Sequence, residues 1–248
     1  MALEAIDIVN GILATIFVIF SAIVGLRIAL KYRKYKNRVF LFFGITWILI
    51  VEPWFPFMIS FFVALSTGGT GLPLQTNLLI GHALVPFGVF CGIFSFTELR
   101  YNKYQKKILI IFGILLTIFE VVFLFFLITQ PTMIAKPVGT IYIEYTPLFK
   151  VFMIAILVVI LTVGILFSHE SLKAEGKEVR LKGKMLLFAF IMFSIGTFME
   201  AMIPKDFLIL IITRAILIFS SFSFYCGFYL PKFIKKMFNL FGRPRKSL

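Results

Sequence analysis

Five ionisable side chains interrupt long apolar stretches of the sequence: Glu52, His82, Glu120, Glu200 and Arg214. A lipid-buried arginine costs at least ~2.5 kcal/mol, so charged residues in such stretches usually pair with one another or serve a binding site. Three carboxylates face one permanent cation, which leaves at least one carboxylate without a fixed charged partner. A carboxylate of this kind can hold a proton, a cation or a ligand amine. These residue types therefore predict a polar binding site within the membrane.

Arg214 has a candidate partner in Glu200. The predicted helices that carry them are joined by a short turn around Pro204, Lys205 and Asp206, so they must be antiparallel neighbours. Both residues then lie at a similar depth, and a bidentate guanidinium–carboxylate pair makes a membrane arginine tolerable. Two roles stay open for this pair, a structural link between two helices and a part of a binding site.

A polar stripe continues from Arg214 along the same predicted helix. Ser221 and Tyr225 follow Arg214 at spacings of seven and four, which places the three side chains on one helical face. We expect this stripe to point into the bundle.

The segment "VEPWFP" places Glu52 and Trp54 between Pro53 and Pro56. Proline removes backbone donors, so we expect a kinked helix with freed carbonyl groups. A kink with a carboxylate and aromatic side chains suits a binding pocket, although the prolines could also serve packing alone. His82 is either a hydrogen-bonded structural residue or a ligand-binding residue.

The sequence excludes several enzyme classes and predicts no cofactor. It contains no His-Glu-x-x-His zinc motif, no Gly-x-Ser-x-Gly elbow and no glycine-rich nucleotide loop. His82 alone cannot provide the paired axial ligands of a membrane dihaem cytochrome. A metal site built from Glu52, His82, Glu120 and Glu200 is conceivable but has no diagnostic spacing. Cys91 and Cys226 both lie in apolar runs, so no disulfide framework is indicated.

The elements that must position these residues are membrane-spanning helices. Of the 248 residues, 60% are hydrophobic and 15% are charged, whereas soluble domains carry about 25% charged residues. Helices are the open-chain structure that satisfies the backbone in lipid. Hydropathy predicts an all-α integral membrane protein with seven spans: Ile6–Leu30, Val39–Leu65, Asn77–Leu99, Ile108–Thr129, Leu148–Ser168, Met185–Ile203 and Phe207–Leu230.

Basic residues predict the orientation of these spans. The four segments 27–38, 100–107, 173–184 and 232–246 contain 21 of the 25 lysines and arginines, and all four lie on one side of the seven-span arrangement. The positive-inside rule places this side in the cytoplasm and the N-terminus outside, in the cell membrane. The net charge of +14 is thus explained by the basic segments on one side of the membrane. The sequence has no basic face interleaved with stacking aromatic residues outside the membrane, so it does not indicate nucleic-acid binding.

The chain divides into a seven-helix domain, residues 1–231, and a basic juxtamembrane tail, residues 232–248. In the tail, apolar and basic side chains segregate to opposite faces of a short helix. The apolar set is Phe233, Ile234, Met237, Phe238 and Phe241, and the polar set is Lys232, Lys235, Lys236 and Asn239. We expect an interfacial helix on the anionic inner leaflet.

Depth and loop length locate the site. At ~1.5 Å per residue, all five ionisable residues fall in one slab in the outer half of the bundle. The longest predicted outer loop, "PTMIAKPVGTIYIEYTP", could fold over this slab as a lid.

Glu98 and Arg100 in "TELRY", and the proline that ends helix seven before a basic helix, resemble features of G-protein-coupled receptors. The acid and arginine are not adjacent, however, and "FYLP" is not Asn-Pro-x-x-Tyr. A retinal pigment would need a lysine in helix seven, where this chain has Arg214. The chain as a whole is similar in topology to the stand-alone seven-helix sensor modules of prokaryotes.

That resemblance implies a sensor or receptor-like protein. A small or lipid-like ligand would bind in the outer-half polar cavity, and the basic inner loops would report to a cytoplasmic signalling partner. The alternative is a small-solute or proton-coupled transporter. Glu52–Pro56 and Glu200–Pro204 share a Glu-x-x-x-Pro pattern, as expected of a three-plus-one-plus-three repeat like that of seven-helix sugar transporters.

Overall fold

A computed structural model describes residues 3–203 and 206–238 of the chain. Within these residues, seven helical segments are long and apolar enough to cross a membrane, as the hydropathy predicted. The protein is therefore a multi-pass membrane protein by the length and composition of its helices. The spans, numbered 1 to 7 in chain order, are Ala5–Tyr35, Arg38–Thr67, Leu74–Arg100, Asn102–Thr129, Pro147–Leu172, Lys177–Met202 and Phe207–Tyr229.

Ten α-helices and two short strands build the described part of the chain. The helices are α1 (Ala5–Tyr35), α2 (Arg38–Ile50), α3 (Phe55–Thr67), α4 (Leu74–His82), α5 (Val85–Arg100), α6 (Gln105–Thr129), α7 (Pro147–Leu172), α8 (Lys177–Met202), α9 (Phe207–Tyr229) and α10 (Lys232–Met237). The strands are β1 (Ala135–Pro137) and β2 (Ile143–Tyr145).

Spans 2 and 3 are each broken into two helices. In span 2, α2 ends at Ile50, a 3₁₀ turn covers Glu52–Trp54, and α3 follows directly. Pro53 and Pro56 are the second residues of the turn and of α3, within the first turn of each, where their missing N–H groups are tolerated. The kink predicted from "VEPWFP" is thus present. Span 3 breaks at Ala83 and Leu84, between α4 and α5.

The spans form a ring in which consecutive helices are neighbours, except that span 4 lies outside it. Spans 1 and 2, 2 and 3, 3 and 5, 5 and 6, 6 and 7, and 7 and 1 pack against each other, whereas span 4 packs mainly on span 3. The most apolar window of span 3 is 61% buried and that of span 4 only 6% buried. Few residues of span 4 are therefore enclosed by protein, and its outer face is left to the surroundings, which for a spanning helix means lipid.

Spans 1 and 2 approach closely through two glycines. A Cβ atom built on Gly25 would lie 2.8 Å from the Gly44 carbonyl oxygen, and one on Gly44 would collide with the backbone of α1. Small residues at such crossings let helices pack by van der Waals contact, which drives helix association in lipid.

Aromatic side chains fill the centre of the ring. Trp47 is fully buried and stacks on Phe224, with ring centroids 3.6 Å apart. Trp54 is 2% exposed and meets Phe17 and Phe193 edge to face. Both tryptophans of span 2 therefore pack inside the protein.

The predicted lid loop forms a β-hairpin over one end of the ring. Its strands pair antiparallel, with Ala135 opposite Tyr145 and Pro137 opposite Ile143. Gly139 makes the turn with a φ of 96°, a conformation that favours glycine. Ile141, Ile143 and Tyr145 are buried, so the hairpin is packed down against the bundle. We call this end of the molecule the hairpin end.

The opposite end, called here the tail end, carries α10. Ile234 is buried against the ends of spans 6 and 7, and Lys235 forms an ion pair with Glu178 at 2.8 Å. Phe233, Met237 and Phe238 are exposed. The remaining residues assigned from sequence to the amphipathic faces, Asn239 and Phe241, lie outside the described residues, as does the rest of the tail.

Candidate functional site

Arg214 lies at the hairpin end of span 7 with no exposed surface. Its Nη1 and Nη2 donate to Glu200 Oε2 and Oε1 at 2.9 and 3.4 Å. Its Nε and Nη2 also donate to Asn10 Oδ1, at 3.1 and 2.7 Å. The bidentate pair predicted between spans 6 and 7 is present, and Asn10 extends it to span 1. Spans 1, 6 and 7 are therefore joined through one guanidinium group.

The hairpin adds a second contact to Glu200. Tyr142 donates its hydroxyl hydrogen to Glu200 Oε1 at 3.0 Å, and its ring stacks on Phe57 of span 2. Phe57 in turn covers Arg214, with Cζ 5.2 Å from the ring centroid, a favourable cation–π arrangement. The charged pair is thus enclosed by aromatic rings from the hairpin and span 2.

Glu52 accepts a backbone hydrogen bond at the break in span 3. Its Oε2 and Oε1 accept hydrogen bonds from the Leu84 backbone N–H at 2.9 and 3.1 Å. Leu84 precedes the first turn of α5, where backbone N–H groups have no partner within the helix and favour a negative charge. The kinked turn of span 2 therefore places a carboxylate where span 3 needs an acceptor.

Glu120 of span 4 lies near Glu52, close enough for the two carboxyl groups to interact electrostatically. Its Oε2 is buried without a hydrogen-bond partner among the described residues.

His82 is fixed by the hairpin. Its Nε2 lies 2.9 Å from the Tyr145 hydroxyl oxygen, and its ring makes edge-to-face contacts with Phe123, Tyr145 and Phe149. Burial raises the pKa of the Tyr145 hydroxyl above its ordinary value, and the Glu200 carboxylate raises it further while Arg214 opposes the effect. This hydroxyl therefore stays protonated and links span 3 to the hairpin.

An aromatic cavity of about 50 Å³ lies beneath the hairpin, among spans 2, 3, 4, 5 and 6. Six aromatic side chains form much of its wall: Trp54, Phe57, Phe119, Tyr145, Phe149 and Phe193. The polar residues on the wall are His82, Thr197 and Glu200. Predominantly apolar walls with a few placed polar groups are typical of small-molecule sites.

One polar atom on this wall, Thr197 Oγ1, has no hydrogen-bond partner among the described residues, and a second, Trp54 Nε1, lies beside the Glu200 carboxylate. An indole N–H is a donor only, and a hydroxyl can donate or accept. Buried polar groups are normally paired, so Thr197 Oγ1 is suited to receive a hydrogen-bonding group of a bound molecule.

A second space, the hairpin pocket, lies above the aromatic cavity and measures about 280 Å³. Glu144 of the hairpin and Lys150 of span 5 lie on its wall, 3.7 Å apart. Tyr145 and Glu200 belong to the walls of both spaces. These two side chains therefore form part of the partition between the hairpin pocket and the aromatic cavity.

The structure divides the eight candidate residues from the sequence into three groups. Trp54, His82 and Glu200 line the aromatic cavity, and Arg214 supports it through Glu200. Glu52 is bonded at the break of span 3, and Glu120 is close enough to act on it electrostatically; neither residue lines the cavity.

Ser221 and Tyr225 belong to the third group, away from the cavity. Ser221 shares a buried hydrogen bond of 2.6 Å with Ser21. Tyr225, which lies eleven residues along the helix from Arg214, stacks on Tyr229. The stripe predicted on span 7 therefore makes separate contacts along the bundle and does not converge on the cavity.

Sequence reasoning missed Asn10, Thr197 and the two hairpin tyrosines, Tyr142 and Tyr145. An inventory of uncharged polar residues within the spans would have included Asn10 and Thr197. No signal in the sequence distinguishes the tyrosines from other loop residues, because their roles depend on how the hairpin folds back.

The conceivable metal site is not assembled among the residues that the structure describes. Nowhere in ranges 3–203 and 206–238 do three or more His, Cys, Asp or Glu side chains come together in a metal-binding group. His82 is instead surrounded by aromatic rings, and Glu200 is engaged by Arg214 and Tyr142.

No protein-family model matches the chain, and no curated protein matches it either.

Proposed function

We propose that this protein is a receptor-like membrane protein that binds a small or lipid-like ligand at the hairpin end, with part of the ligand in the aromatic cavity. The observation that carries the proposal is the Thr197 hydroxyl, which has no partner among the described residues and lies on an otherwise largely apolar wall. Such a wall favours an apolar molecule and fixes its orientation through a few hydrogen bonds. Basic residues on the tail side favour a cell-membrane orientation in which the cavity faces outward.

The contacts of Glu200 support a sensing role. Glu200 lines the cavity and also holds Arg214 of span 7, which is bonded to Asn10 of span 1. A ligand that competes for Glu200 would alter the one guanidinium group that joins three spans. Buried ionic networks are sensitive to such changes because an unpaired charge in a low-dielectric interior is strongly unfavourable.

The readout would be at the tail end. Movement of spans 6 and 7 would displace α10 and the basic segments 173–184 and 232–246, which are suited to anionic lipids and to a cytoplasmic partner. A ligand shifts such an equilibrium only through its different affinity for the two states.

Native mass spectrometry of the protein from lipid nanodiscs tests the proposal. Thr197→Trp fills the cavity, and Ile195→Trp, on the exposed face of the same helix, is the matched control. We expect a bound small molecule in the wild type and in Ile195→Trp and its loss in Thr197→Trp. The same bound species in all three proteins, or none in any, would contradict the proposal.

A transporter is the second candidate, favoured by the adjacent breaks in spans 2 and 3. Discontinuous helices surround the substrate sites of many transporters. The Glu-x-x-x-Pro match provides less support, because Glu52 lies at a helix break whereas Glu200 lies in the continuous α8. Pro204 lies outside the described residues. Uptake of a solute or of protons into proteoliposomes would favour transport over sensing.

A further inference from the structure

The aromatic cavity and the hairpin pocket are separated by very little protein. Tyr145 and Glu200 line both spaces, and each is held by a hydrogen bond between the hairpin and a span. These bonds are Tyr145–His82 at 2.9 Å and Tyr142–Glu200 at 3.0 Å. Through these two hydroxyl groups the hairpin is hydrogen-bonded to polar side chains of the helical bundle.

Size indicates that the two spaces act together. Ligand pockets typically measure roughly 300–1,000 Å³, whereas the cavity is about 50 Å³ and the hairpin pocket about 280 Å³. The cavity alone is too small for most ligands, and the two spaces joined would reach the usual range. A modest displacement of the Tyr145 side chain would join them.

The two spaces differ in chemistry. The cavity is walled by aromatic rings, while the hairpin pocket has one carboxylate and one ammonium group, Glu144 and Lys150, at its wall. Their separation of 3.7 Å and the 68% exposure of the Glu144 side chain indicate a weak ion pair. Both charges are therefore available to a ligand of matching charges.

We propose that the two spaces are the chambers of one binding site for an amphipathic molecule, with Tyr145 as the partition between them. A zwitterionic head group would lie between Glu144 and Lys150, and an apolar or aromatic part would enter the cavity towards Trp54 and Thr197. This inference rests on the proposed function and adds to it the class of ligand and its route from the hairpin side.

Cysteine accessibility tests the partition without any ligand. In a Cys91→Ala, Cys226→Ala background, a cysteine at Thr197 is treated with a membrane-impermeant thiol reagent added on the hairpin side. We expect slow modification that accelerates about tenfold when Tyr145→Phe removes the bond to His82, the change expected for loss of one hydrogen bond. A cysteine at Ser221, buried away from the cavity, is the control and should stay unreactive.

An unchanged rate at position 197 in Tyr145→Phe and in Tyr142→Phe would show that the hairpin does not control access. Modification only by a membrane-permeant reagent would show entry from the bilayer. Either result would overturn the partition while leaving a ligand in the cavity possible.

Matched probes test the ligand class in nanodiscs: phenylalanine, 2-phenylethylamine, 3-phenylpropionate and ethylbenzene. We expect phenylalanine to bind most tightly, and Lys150→Gln to weaken phenylalanine and 3-phenylpropionate about tenfold while leaving 2-phenylethylamine unchanged. Equal binding of ethylbenzene and phenylalanine, insensitive to Lys150→Gln, would restrict the site to the cavity and overturn this inference alone. The amphipathic site would be overturned if none of the four probes binds, or if Thr197→Trp leaves their binding unchanged. The native mass spectra test the proposed function separately.

Discussion

At the scale of single residues, Arg214 organises the hairpin end of the bundle. Its guanidinium is fully buried and has two partners of different kinds, the Glu200 carboxylate and the Asn10 amide oxygen. A carboxylate in such a place can become neutral by taking up a proton, but a guanidinium cannot lose its charge in a protein. Substitutions of the two members of the pair should therefore have unequal effects.

A double-mutant cycle on Glu200 and Arg214 tests this asymmetry. Glu200→Leu should lower the free energy of unfolding by about 3–5 kcal/mol, since it leaves a buried cation without its carboxylate partner. Arg214→Leu should cost less, because Glu200 keeps the Tyr142 hydrogen bond and can protonate. The double substitution should recover much of the loss. Unfolding in detergent measures all four proteins.

Additive effects in this cycle would mean that the two side chains do not meet in the folded protein. We further expect the double variant to fold but to lose its bound molecule in the native mass spectrum, since Glu200 lines the aromatic cavity. A double variant that keeps the ligand would assign the pair to the fold alone.

Tyr145 predicts a pH dependence. Burial raises the pKa of its hydroxyl in the folded protein, above the value of about 10 in the unfolded chain. The unfolded state therefore loses its proton first, so the contribution of Tyr145 to stability is complete below pH ~10 and is lost as the pH rises above it. Tyr145→Phe should make the alkaline decline in stability shallower, measured by thermal unfolding between pH 8 and pH ~11.

Tyr101→Phe is the control for this experiment, because Tyr101 is exposed and its removal should leave the alkaline decline unchanged. Identical pH profiles for wild type and Tyr145→Phe would show that the hydroxyl titrates alike in the folded and unfolded protein.

At the scale of elements, the breaks in spans 2 and 3 depend on each other. The proline turn of span 2 places Glu52 beside Leu84, and the carboxylate supplies the acceptor that the start of α5 lacks. A backbone N–H left unpaired in lipid is expensive, so the two breaks form one structural unit.

Substitution of Glu52 should weaken this unit in a graded way. Glu52→Ala leaves the Leu84 N–H without an acceptor and should lower the free energy of unfolding by about 1–2 kcal/mol. Glu52→Gln keeps one acceptor oxygen and should cost less. Glu170→Ala breaks an exposed ion pair with Arg100 and is the control, with little expected effect. Equal stability of Glu52→Ala and wild type would show that Leu84 finds another partner.

At the scale of the whole molecule, the ring of spans has two chemically different ends. The hairpin end contains the cavity and the buried ionic network, and the tail end carries most of the basic residues. The positive-inside rule then predicts the direction of insertion, because basic segments resist translocation across the membrane.

Reporter fusions test this orientation. Fusions at Lys34, Lys103 and Lys177 should report the cytoplasm, and fusions at Gly69 and Gly139 should report the exterior. An inverted pattern would place the cavity on the cytoplasmic side and would remove the basis for a receptor of external ligands.

The sequence by itself determined the seven spans, the breaking of span 2 and the pairing of Glu200 with Arg214. Each of these depends on local chemistry: spans on the length of apolar runs, the break on two prolines, and the pair on a short turn that makes spans 6 and 7 neighbours. The sequence did not predict the two-residue break in span 3, because Pro86 alone does not indicate where a helix is interrupted.

Apart from the Glu200–Arg214 pair, only the tertiary structure decided which polar groups meet. Asn10 and Arg214 are 204 positions apart, and Tyr142 and Tyr145 reach Glu200 and His82 because the hairpin folds back onto the bundle. The peripheral position of span 4 was equally hidden. Lipid tails and a protein interior are both apolar, so the periodicity of an all-apolar helix does not show which face meets protein and which meets lipid.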